Sequence, residues 1–307
     1  MKIVKIKGGI GNQLFQYSFA MCLASKGNDV KLDFNYCYKS NSKTQKPRLK
    51  DLNISLKEAN LNDVKKVCLF PHNSNPTSLK YKFGIAIENL LNRKYFFEKN
   101  RKYIEIKEFK KSISYFDGYW QSWRHVFSVE NILLNEIKPK LPISKKNLEF
   151  IDSISNENSV FVGIRRGDYV KTTKAMNHYG VFSNNYYLNA MNYIAKRCDS
   201  PVFYIFSNDI EWCRSNLDFG NYKVVFREND KQTDDLEELF VMSNCKHAII
   251  VNSTFHWWGA FLNRNPNKII ICPNEWFLDG KEIDICPPEW IRFYRDGSIV
   301  NWFKINY

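Results

Sequence analysis

A chain of 307 residues is long enough to form two domains of about 150 residues each. Its hydrophobic fraction of 44% is ordinary for a globular protein and excludes a chain that is disordered throughout. The formal net charge of +13 favours anionic partners, which include nucleic acid, lipid headgroups and phosphorylated small molecules, but it does not choose among them.

Eight cysteines and the start of the chain bear on the cellular compartment. No two cysteines form a Cys-x-x-Cys pair, and no Cys/His cluster has the spacing of zinc ligands. Several, such as Cys272, lie in apolar runs, so we expect free thiols and a reducing compartment. The chain starts with a strand pattern instead of a signal peptide, and no apolar run is long enough to span a bilayer. We therefore expect a cytoplasmic protein, with peripheral contact at the anionic inner face of the membrane through its positive charge.

Residues 1–35 show the pattern of a β-α-β unit. Its predicted parts are a strand at 3–6, a glycine-rich turn at 8–11, a helix at 13–25 and a second strand at 30–34. The chain from 35 to 115 is polar and shows helical periodicity only in patches. Residues 115–120 predict a strand that runs into a loop.

Regular alternation returns after residues 135–158, a stretch rich in Pro, Lys, Asn and Ser, where we place the domain junction. The predicted strands lie at 159–164, 202–206, 222–226, 248–251 and 268–272. The predicted helices lie at 185–198, 210–217, 234–244 and 254–263. Strands that alternate with helices predict a parallel, doubly wound sheet.

The chain as a whole predicts an α/β fold with two Rossmann-like domains, over 1–145 and 146–307. Between two such domains we expect a cleft where strand carboxyl ends and helix amino ends converge. The tail from residue 273 is rich in Trp and Pro, and we expect it to pack back across both domains.

Residues 8–13 read Gly-Gly-Ile-Gly-Asn-Gln at the turn from the first strand to the first helix. A dinucleotide-binding turn has a third glycine, and Leu14 stands in its place, so the pattern disfavours NAD. Asn12 and Gln13 bring two amides to the start of the helix, where they can bind the hydroxyl groups of a sugar. The alternative is that the glycines serve only a sharp turn.

The strand at 159–164 delivers Arg165 and Arg166 to its carboxyl end, and Gly167 and Asp168 follow. An arginine keeps its charge and binds phosphate oxygens through two parallel N–H groups. The pair therefore suits a diphosphate; the alternative is an ion pair between the domains.

Asn252, Ser253 and Thr254 stand where the strand at 248–251 meets the next helix. Free backbone N–H groups at a helix start bind phosphate, and these side chains add two hydroxyls and an amide. Ordinary N-capping of the helix is the alternative.

Together these three stretches resemble glycosyltransferase family 11, the α-1,2-fucosyltransferases. The family motif Gly-Gly-x-Gly-Asn-Gln-x-Phe-Gln-Tyr matches residues 8–17. The motifs His-x-Arg-Arg-Gly-Asp-Tyr and Asn-Ser-Ser/Thr-Phe-Ser-Trp-Trp-Gly-Ala match 163–169 and 252–260, with one departure in each. The resemblance spans nearly the whole chain. It implies a GT-B-like pair of domains, an N-terminal acceptor side, a C-terminal site for GDP-fucose, and inversion at the anomeric carbon.

The resemblance assigns roles to the matching residues. Arg165 and Arg166 take the place of the arginines that bind the diphosphate, and with Asp168 they form the predicted catalytic set. Glu238 stands where relatives usually carry Asp, and its carboxylate suits the paired N–H groups of guanine. The predicted nucleotide-binding residues are Arg165, Arg166, Asn208, Glu238, Asn252, Ser253, Thr254 and Phe255. The predicted substrate-binding residues are Gly9, Asn12, Gln13, Asp117, His178 and Trp258.

Two positions depart from the family motifs. Gly163 stands where the motif has His, and His256 stands where it has Ser. Both departures concern contacts to the nucleotide and the acceptor, and they leave the predicted reaction class unchanged.

Three residues are candidates for the general base that takes the proton of the acceptor hydroxyl: Asp168, Asp117 and His178. Each has a structural alternative, because a carboxylate near an arginine often only anchors a turn.

We expect no metal cofactor. Residues 282–284 have the spacing of an Asp-x-Asp metal motif but lie in the tail, and Asp234 with Asp235 fits a helix start. Arg165 and Arg166 are expected to neutralise the diphosphate in place of a metal.

The sequence thus predicts a galactoside α-1,2-fucosyltransferase that transfers L-fucose from GDP-fucose during surface glycan synthesis. The expected acceptor is a galactose-terminated glycan or a lipid-linked oligosaccharide, and no nucleic acid partner is expected. One alternative is a basic nucleic-acid-binding protein with stacking aromatic side chains. The other is a non-catalytic relative that binds a nucleotide sugar without transferring it.

Overall fold

The chain divides into two compact units. The computed structural model describes residues 1–40, 45–69, 79–228, 234–280 and 283–300. Unit 1 comprises Met1–Pro142 and Ile283–Ile285, and unit 2 comprises Ile143–Glu282 and Cys286–Tyr307. Each unit is built on a parallel sheet of its own.

Unit 1 contains a five-stranded sheet. Its strands are β1 (Lys2–Lys5), β2 (Val30–Asp33), β3 (Lys57–Glu58), β4 (Tyr95–Phe97) and β5 (Tyr115–Asp117). Its α-helices are α1 (Ile10–Ser25), α2 (Asn35–Lys39), α3 (Leu61–Lys65), α4 (Leu79–Leu91), α5 (Trp123–Phe127) and α6 (Glu130–Glu136). The strands lie in the order β3-β2-β1-β5-β4, and neighbouring strands are parallel. The sheet order reverses between β1 and β5, where Ile3 pairs with Tyr115.

Helix α1 is buried over most of its length because apolar residues lie on all of its sides. Leu14, Phe15 and Phe19 have no exposed surface. The turn before the helix requires glycine at Gly8, whose φ of 80° is left-handed and where a Cβ would lie 2.7 Å from Asn12 Nδ2. This tight turn brings the first residues of α1 to the carboxyl end of β1.

Unit 2 contains a six-stranded sheet. Its strands are β6 (Ser159–Ile164), β7 (Val202–Ser207), β8 (Lys223–Phe226), β9 (His247–Ile249), β10 (Ile270–Pro273) and β11 (Ile291–Phe293). Its α-helices are α7 (Lys145–Ser155), α8 (Gly167–Val170), α9 (Thr173–Tyr179), α10 (Asn184–Ala195), α11 (Ile210–Asn216), α12 (Asp235–Ser243) and α13 (Thr254–Leu262). The strands lie in the order β11-β10-β9-β6-β7-β8, all neighbours being parallel.

This is the strand order of a Rossmann fold, and it reverses between β6 and β9. Every residue of β6 and β7 is buried, as expected of parallel strands that helices cover on both faces. Val162, Ile205 and Ile249 form the core together with Tyr186 and Met191 of α10. The two parallel sheets with their helices confirm the predicted α/β class with two Rossmann-like units, the class to which GT-B-like folds belong.

None of the eight cysteines, all of which lie among the described residues, forms a disulfide, and seven of them are buried. No helix in the described part of the chain is both long enough and apolar enough to cross a bilayer.

Candidate functional site

The sheet of unit 2 places two of the predicted motifs side by side. Strand β6 is followed by Arg165 and Arg166, and the neighbouring β9 leads into Asn252 and the start of α13. The two loops are joined by Tyr169, whose hydroxyl donates to the carbonyl oxygen of Asn252 at 2.8 Å. Ligands of doubly wound sheets bind outside the carboxyl ends of the strands where the strand order reverses. The crevice at the ends of β6 and β9 is therefore the candidate site.

Arg165 is paired with Asp168 through two contacts. Its Nε lies 2.8 Å from Asp168 Oδ1, and its Nη2 donates to Asp168 Oδ2 at 3.0 Å. The two side chains are 30% and 51% exposed. Both oxygens of the predicted base thus contact a guanidinium at the rim of the crevice.

Arg166 is held by a ring and by the next strand end. Its guanidinium lies 3.8 Å from the centre of the Trp212 ring, and its Nε lies 3.7 Å from Asp209 Oδ2. Its backbone N–H donates to Asn208 Oδ1 at 3.0 Å. Asn208 approaches so closely that a Cβ on Gly167 would lie 2.6 Å from its Nδ2, which explains the glycine there. The predicted nucleotide-binding residue Asn208 therefore braces the arginine loop against the end of β7.

The start of α13 presents backbone N–H groups that suit an anion. Ser253 is the N-cap residue, yet its hydroxyl makes no capping hydrogen bond, and Thr254 begins the helix. The alternative of ordinary capping by Ser253 is therefore not what the structure shows. The first-turn N–H groups and the helix dipole favour a negative charge at this end of α13. Phe255 is half-buried beside them.

Asn252 anchors this turn to two other loops. Its Nδ2 donates to the carbonyl oxygens of Tyr179 and Trp276, both at 2.8 Å. Its Oδ1 is buried and makes no hydrogen bond with the described residues. The side chain thus positions the helix start, and its oxygen remains available as an acceptor.

Glu238 on α12 is buried and contacts an arginine that the sequence analysis did not single out. Its Oε2 accepts from Nε of Arg227 at 3.3 Å, and both side chains are less than a tenth exposed. Arg227 also bonds Asn147 and lies 4.5 Å from the centre of the Phe150 ring. Arg227 directly follows β8, as Arg165 follows β6. This position after a strand is the sequence feature by which Arg227 could have been predicted as a site residue.

Two predicted substrate-binding residues of unit 2 pack against other rings. His178 is half-buried and stacks on Phe277 with ring centres 4.7 Å apart. Trp258 is fully buried and packs edge-on against Phe261 at 5.2 Å. The position of Trp258 is one that packing alone explains.

Gln13 and Asn12, two of the predicted substrate-binding residues in the turn of unit 1, form hydrogen bonds with other loops. Gln13 is buried, and its Nε2 donates to the carbonyl oxygens of Gly8 at 2.8 Å and Lys46 at 2.7 Å. Asn12 accepts from Nε2 of Gln121 at 2.8 Å. Gly9 is the N-cap residue of α1 and is half-buried.

Asp117 lies at the end of β5 and contacts two buried lysines that the sequence analysis did not single out. Lys5 Nζ lies 2.9 Å from Oδ2 and Lys7 Nζ 2.5 Å from Oδ1, while the Tyr95 hydroxyl donates to Oδ2 at 2.9 Å. Burial opposes the charge of this carboxylate, but the two ammonium groups outweigh burial and hold the pKa of Asp117 well below its usual range. The carboxylate is therefore ionised, and it is a weak proton acceptor in this state.

Two acidic residues that were considered as metal ligands, Asp234 and Asp284, accept hydrogen bonds from nearby groups of the protein. Asp234 caps α12 by accepting from the N–H groups of Leu236 and Glu237 at 2.8 and 3.3 Å, which confirms the predicted helix start. Asp284 accepts from the Ser122 hydroxyl at 2.8 Å, and residue 282 lies outside the described residues. Among the residues that the structure describes, no three His, Cys, Asp or Glu side chains form a group able to hold a metal ion.

Known proteins that resemble the chain fall in one class of enzyme. A sequence model of the family described as glycosyl transferase family 11 matches residues 1–293. An alpha-1,2-colitosyltransferase of Escherichia coli is 33% identical over 280 residues, which are 90% of this chain and 92% of the relative. The O-antigen biosynthesis glycosyltransferase WbnK of Escherichia coli is 30% identical over 308 residues, covering 93% and 98%. The galactoside 2-alpha-L-fucosyltransferase SEC1 of Bos taurus is 30% identical over 151 residues, covering 47% and 41%.

Proposed function

Because the chain belongs to glycosyltransferase family 11, we propose that it transfers L-fucose from GDP-fucose to a galactoside hydroxyl, with inversion and an α-1,2 linkage, in surface glycan synthesis. Family membership confirms the resemblance and the enzyme class that the sequence predicts, and it disfavours a nucleic-acid-binding protein. The observation that carries the proposal is the placement of Arg165 and Arg166 beside the start of α13.

The proposed reaction breaks the bond between the anomeric carbon and the diphosphate. The acceptor hydroxyl attacks that carbon from the opposite face, and negative charge builds on the leaving GDP. Fixed cations and N–H groups around the diphosphate lower the barrier because they need no reorganisation during the reaction. Arg165, Arg166 and the first turn of α13 are the groups of unit 2 that suit this role.

We propose that Asp168 is the general base. Its carboxylate contacts Arg165 at 2.8 and 3.0 Å. A diphosphate carries more charge than one carboxylate, so its arrival draws the guanidinium away and leaves the Asp168 oxygens able to accept a proton. Asp117 is less suited, because two ammonium groups hold its carboxylate.

We propose that Glu238 recognises the guanine base. Guanine presents two adjacent N–H donors that suit the two oxygens of a carboxylate, and adenine and uracil lack that pair. Arg227 contacts Oε2 of Glu238 and holds this carboxylate in place.

For the acceptor we propose a galactose-terminated glycan or a lipid-linked oligosaccharide. We propose that the turn of unit 1, which carries Asn12 and Gln13 at the start of α1, binds hydroxyl groups of this acceptor. The charge of +13 supports peripheral contact with an anionic membrane from the cytoplasmic side.

A second candidate donor carries a colitosyl group, the 3-deoxy form of L-fucose. The relative that is 33% identical over 90% of this chain is named an alpha-1,2-colitosyltransferase. The two donors share the GDP part, so the residues at the ends of β6 and β9 serve both proposals equally.

The test is transfer from GDP-fucose, GDP-colitose and UDP-galactose to a panel of galactosides, read by mass spectrometry. We expect a mass increase of one deoxyhexose with GDP-fucose, and the same yield in excess EDTA. Transfer from GDP-colitose alone would favour the second candidate, and binding of GDP without any transfer would support the non-catalytic alternative. Loss of turnover in EDTA that manganese restores would contradict the absence of a metal cofactor.

A further inference from the structure

The two departures from the family motifs occupy one place in the structure. A Cβ built on Gly163 would lie 2.5 Å from Nδ1 of His256, 2.6 Å from its Cγ and 2.9 Å from its Cε1. Gly163 is not among the residues with left-handed φ, so its backbone does not require glycine. The imidazole ring is what excludes a side chain at this position of β6.

The ring lies over Gly163 on one face of β6, and Arg165 directly follows this strand. Side chains two residues apart on a strand share a face, which places Phe161 and the space over Gly163 in one row. The rings of Phe161 and His256 lie 6.5 Å apart, which agrees with this row. His256 therefore packs on β6 next to the point where the first arginine begins.

The ring is also an unusual choice for a residue that only fills space. His256 is 4% exposed, and its Nδ1 is buried without a hydrogen bond to any described residue. Burial first, and then the charge of Arg165, lower the pKa of His256 to about 3, so the imidazole is neutral and can accept a hydrogen bond. An apolar ring would fill the same space without the cost of an unpartnered nitrogen.

We propose that the neutral imidazole of His256, seated on Gly163, positions Arg165 on the diphosphate of the donor. Two nitrogens of the Arg165 guanidinium contact the carboxylate of Asp168. When the guanidinium of Arg165 turns to the diphosphate, one of its N–H groups does not contact the ligand. The imidazole next to β6 accepts a hydrogen bond from that N–H group. Gly163 and His256 act as one unit, in which one imidazole is needed and either position can carry it. The inference rests on the proposed function, since it concerns binding of a nucleotide sugar.

The test compares four proteins: the unmodified chain, His256→Phe, Gly163→His, and the double variant Gly163→His with His256→Ser. Each is measured for GDP affinity by calorimetry, for the KM of GDP-fucose and for Tm. His256→Phe keeps a ring over Gly163 and removes both nitrogens, so we expect an unchanged or higher Tm and a GDP affinity about tenfold weaker, the loss expected for one hydrogen bond to a charged group. Gly163→His places two rings in one space, and we expect a lower Tm and weaker binding.

The double variant decides between a positioning role and mere packing. It returns one imidazole to the same space from the strand, so we expect GDP affinity within about threefold of the unmodified protein, about 0.7 kcal/mol. A double variant as weak as the Gly163→His protein would overturn the inference, and so would a His256→Phe protein that binds GDP as tightly as the unmodified chain. Failure of the unmodified chain to bind GDP would count against the proposed function itself, which separates the two outcomes.

Discussion

At the scale of single residues, both arginines at the end of β6 have partners within unit 2. Arg165 contacts Asp168, and the guanidinium of Arg166 lies over the Trp212 ring. Because the first pair is 30% and 51% exposed, solvent screens it, and such pairs contribute only about 0–1 kcal/mol. Exchange of Asp168 for a diphosphate therefore costs little, and the guanidinium is already near the place where it is needed.

We expect Arg165→Ala and Arg166→Ala each to lower the rate of transfer by about 10²–10³-fold, or about 2–4 kcal/mol of transition-state stabilisation. Tm should change little for Arg165→Ala, since its ion pair is exposed. Single-turnover kinetics with GDP-fucose measures the loss. Arg197→Ala is the control, because the side chain of this exposed arginine, just beyond the end of α10, contacts Tyr193 at a distance from the site in the chain. Near-normal rates in both variants would mean that the arginines serve the loop structure alone.

Asp168→Asn should separate catalysis from binding. The amide keeps the shape of the side chain but accepts a proton poorly, so we expect kcat to fall by at least about 10²-fold while the affinity for GDP stays the same or improves. Stopped assays across a range of donor concentrations give kcat and KM separately. An unchanged kcat would leave Asp168 with the role of holding Arg165.

Glu238→Gln should reduce the preference for guanine. Guanine offers this carboxylate two N–H donors that adenine and uracil do not offer in the same arrangement, so ADP and UDP form fewer hydrogen bonds in this site than GDP. We expect GDP to raise the Tm of the unmodified protein far more than ADP or UDP at equal concentration, and Glu238→Gln to remove much of that difference. Glu211→Gln on the exposed surface of α11 is the control. Equal stabilisation by all three nucleotides before mutation would contradict the role of Glu238 and weaken the choice of a GDP-linked donor.

The sequence predicted which charged residues belong to the site better than it predicted the residues that they contact. Arg165, Arg166 and Ser253 follow strands or begin a helix, so their neighbours in the chain reveal where they lie. The contacts of Asp117 with Lys5 and Lys7 join residues 112 and 110 positions apart, which no local pattern reports. For the same reason no local pattern links Gly163 with His256.

At the scale of elements, long periodic segments were predicted well and short ones were not. The predicted strand at 159–164 coincides with β6, and the helix at 254–263 ends one residue beyond α13. By contrast, β3 has two residues and β4 has three, too few to show a period of two. Their place in the sheet depends on pairing with β2 and β5 rather than on their own pattern.

Helix α5 buries an imidazole, and this makes the stability of unit 1 depend on pH. His125 is 3% exposed between the rings of Phe19 and Tyr103, and burial lowers its pKa to about 4. In the unfolded chain the pKa of histidine is about 6.5, so below that pH the unfolded state binds more protons. Stability from this residue is complete above pH 6.5 and falls as the pH drops toward 4, by about 2 kcal/mol at pH 5.

We therefore expect Tm to be lower at pH 5 than at pH 7, and His125→Phe to reduce that difference because its ring does not titrate. Thermal unfolding at both pH values measures it, with His178→Phe as a histidine variant outside unit 1. A His125→Phe protein with the full pH dependence would show that other groups cause it.

At the scale of the whole molecule, unit 1 is not continuous in the chain. Residues 283–285 belong to it although the rest of unit 1 ends at residue 142. Asp284 bonds the Ser122 hydroxyl at 2.8 Å, the Trp123 indole at 2.9 Å and the Arg124 guanidinium at 3.1 Å. Its own carbonyl accepts from the N–H of Trp123 at 2.9 Å. The start of α5 is thus fixed by a residue from the tail.

We expect Asp284→Ala to lower the stability of unit 1 by about 1–3 kcal/mol, since it leaves a partly buried indole N–H and a hydroxyl without their acceptor. Limited proteolysis read by mass spectrometry distinguishes this from unfolding of unit 2, because new cuts should appear around α5. Asp29→Ala, an exposed carboxylate of the same unit, is the control. A cleavage pattern like that of the control would mean that the tail adds nothing to unit 1.

Because the chain is synthesised from its N-terminus, the two segments of unit 1 are made at different times. Translation proceeds from the N-terminus at about 5–20 residues per second, so β1 to β5 leave the ribosome long before Asp284 does. Unit 1 can assemble its sheet early. Ser122, Trp123 and Arg124 can bond Asp284 only after most of unit 2 has been made. The unit that begins to fold first therefore receives its last segment, residues 283–285, only after most of unit 2 has been synthesised.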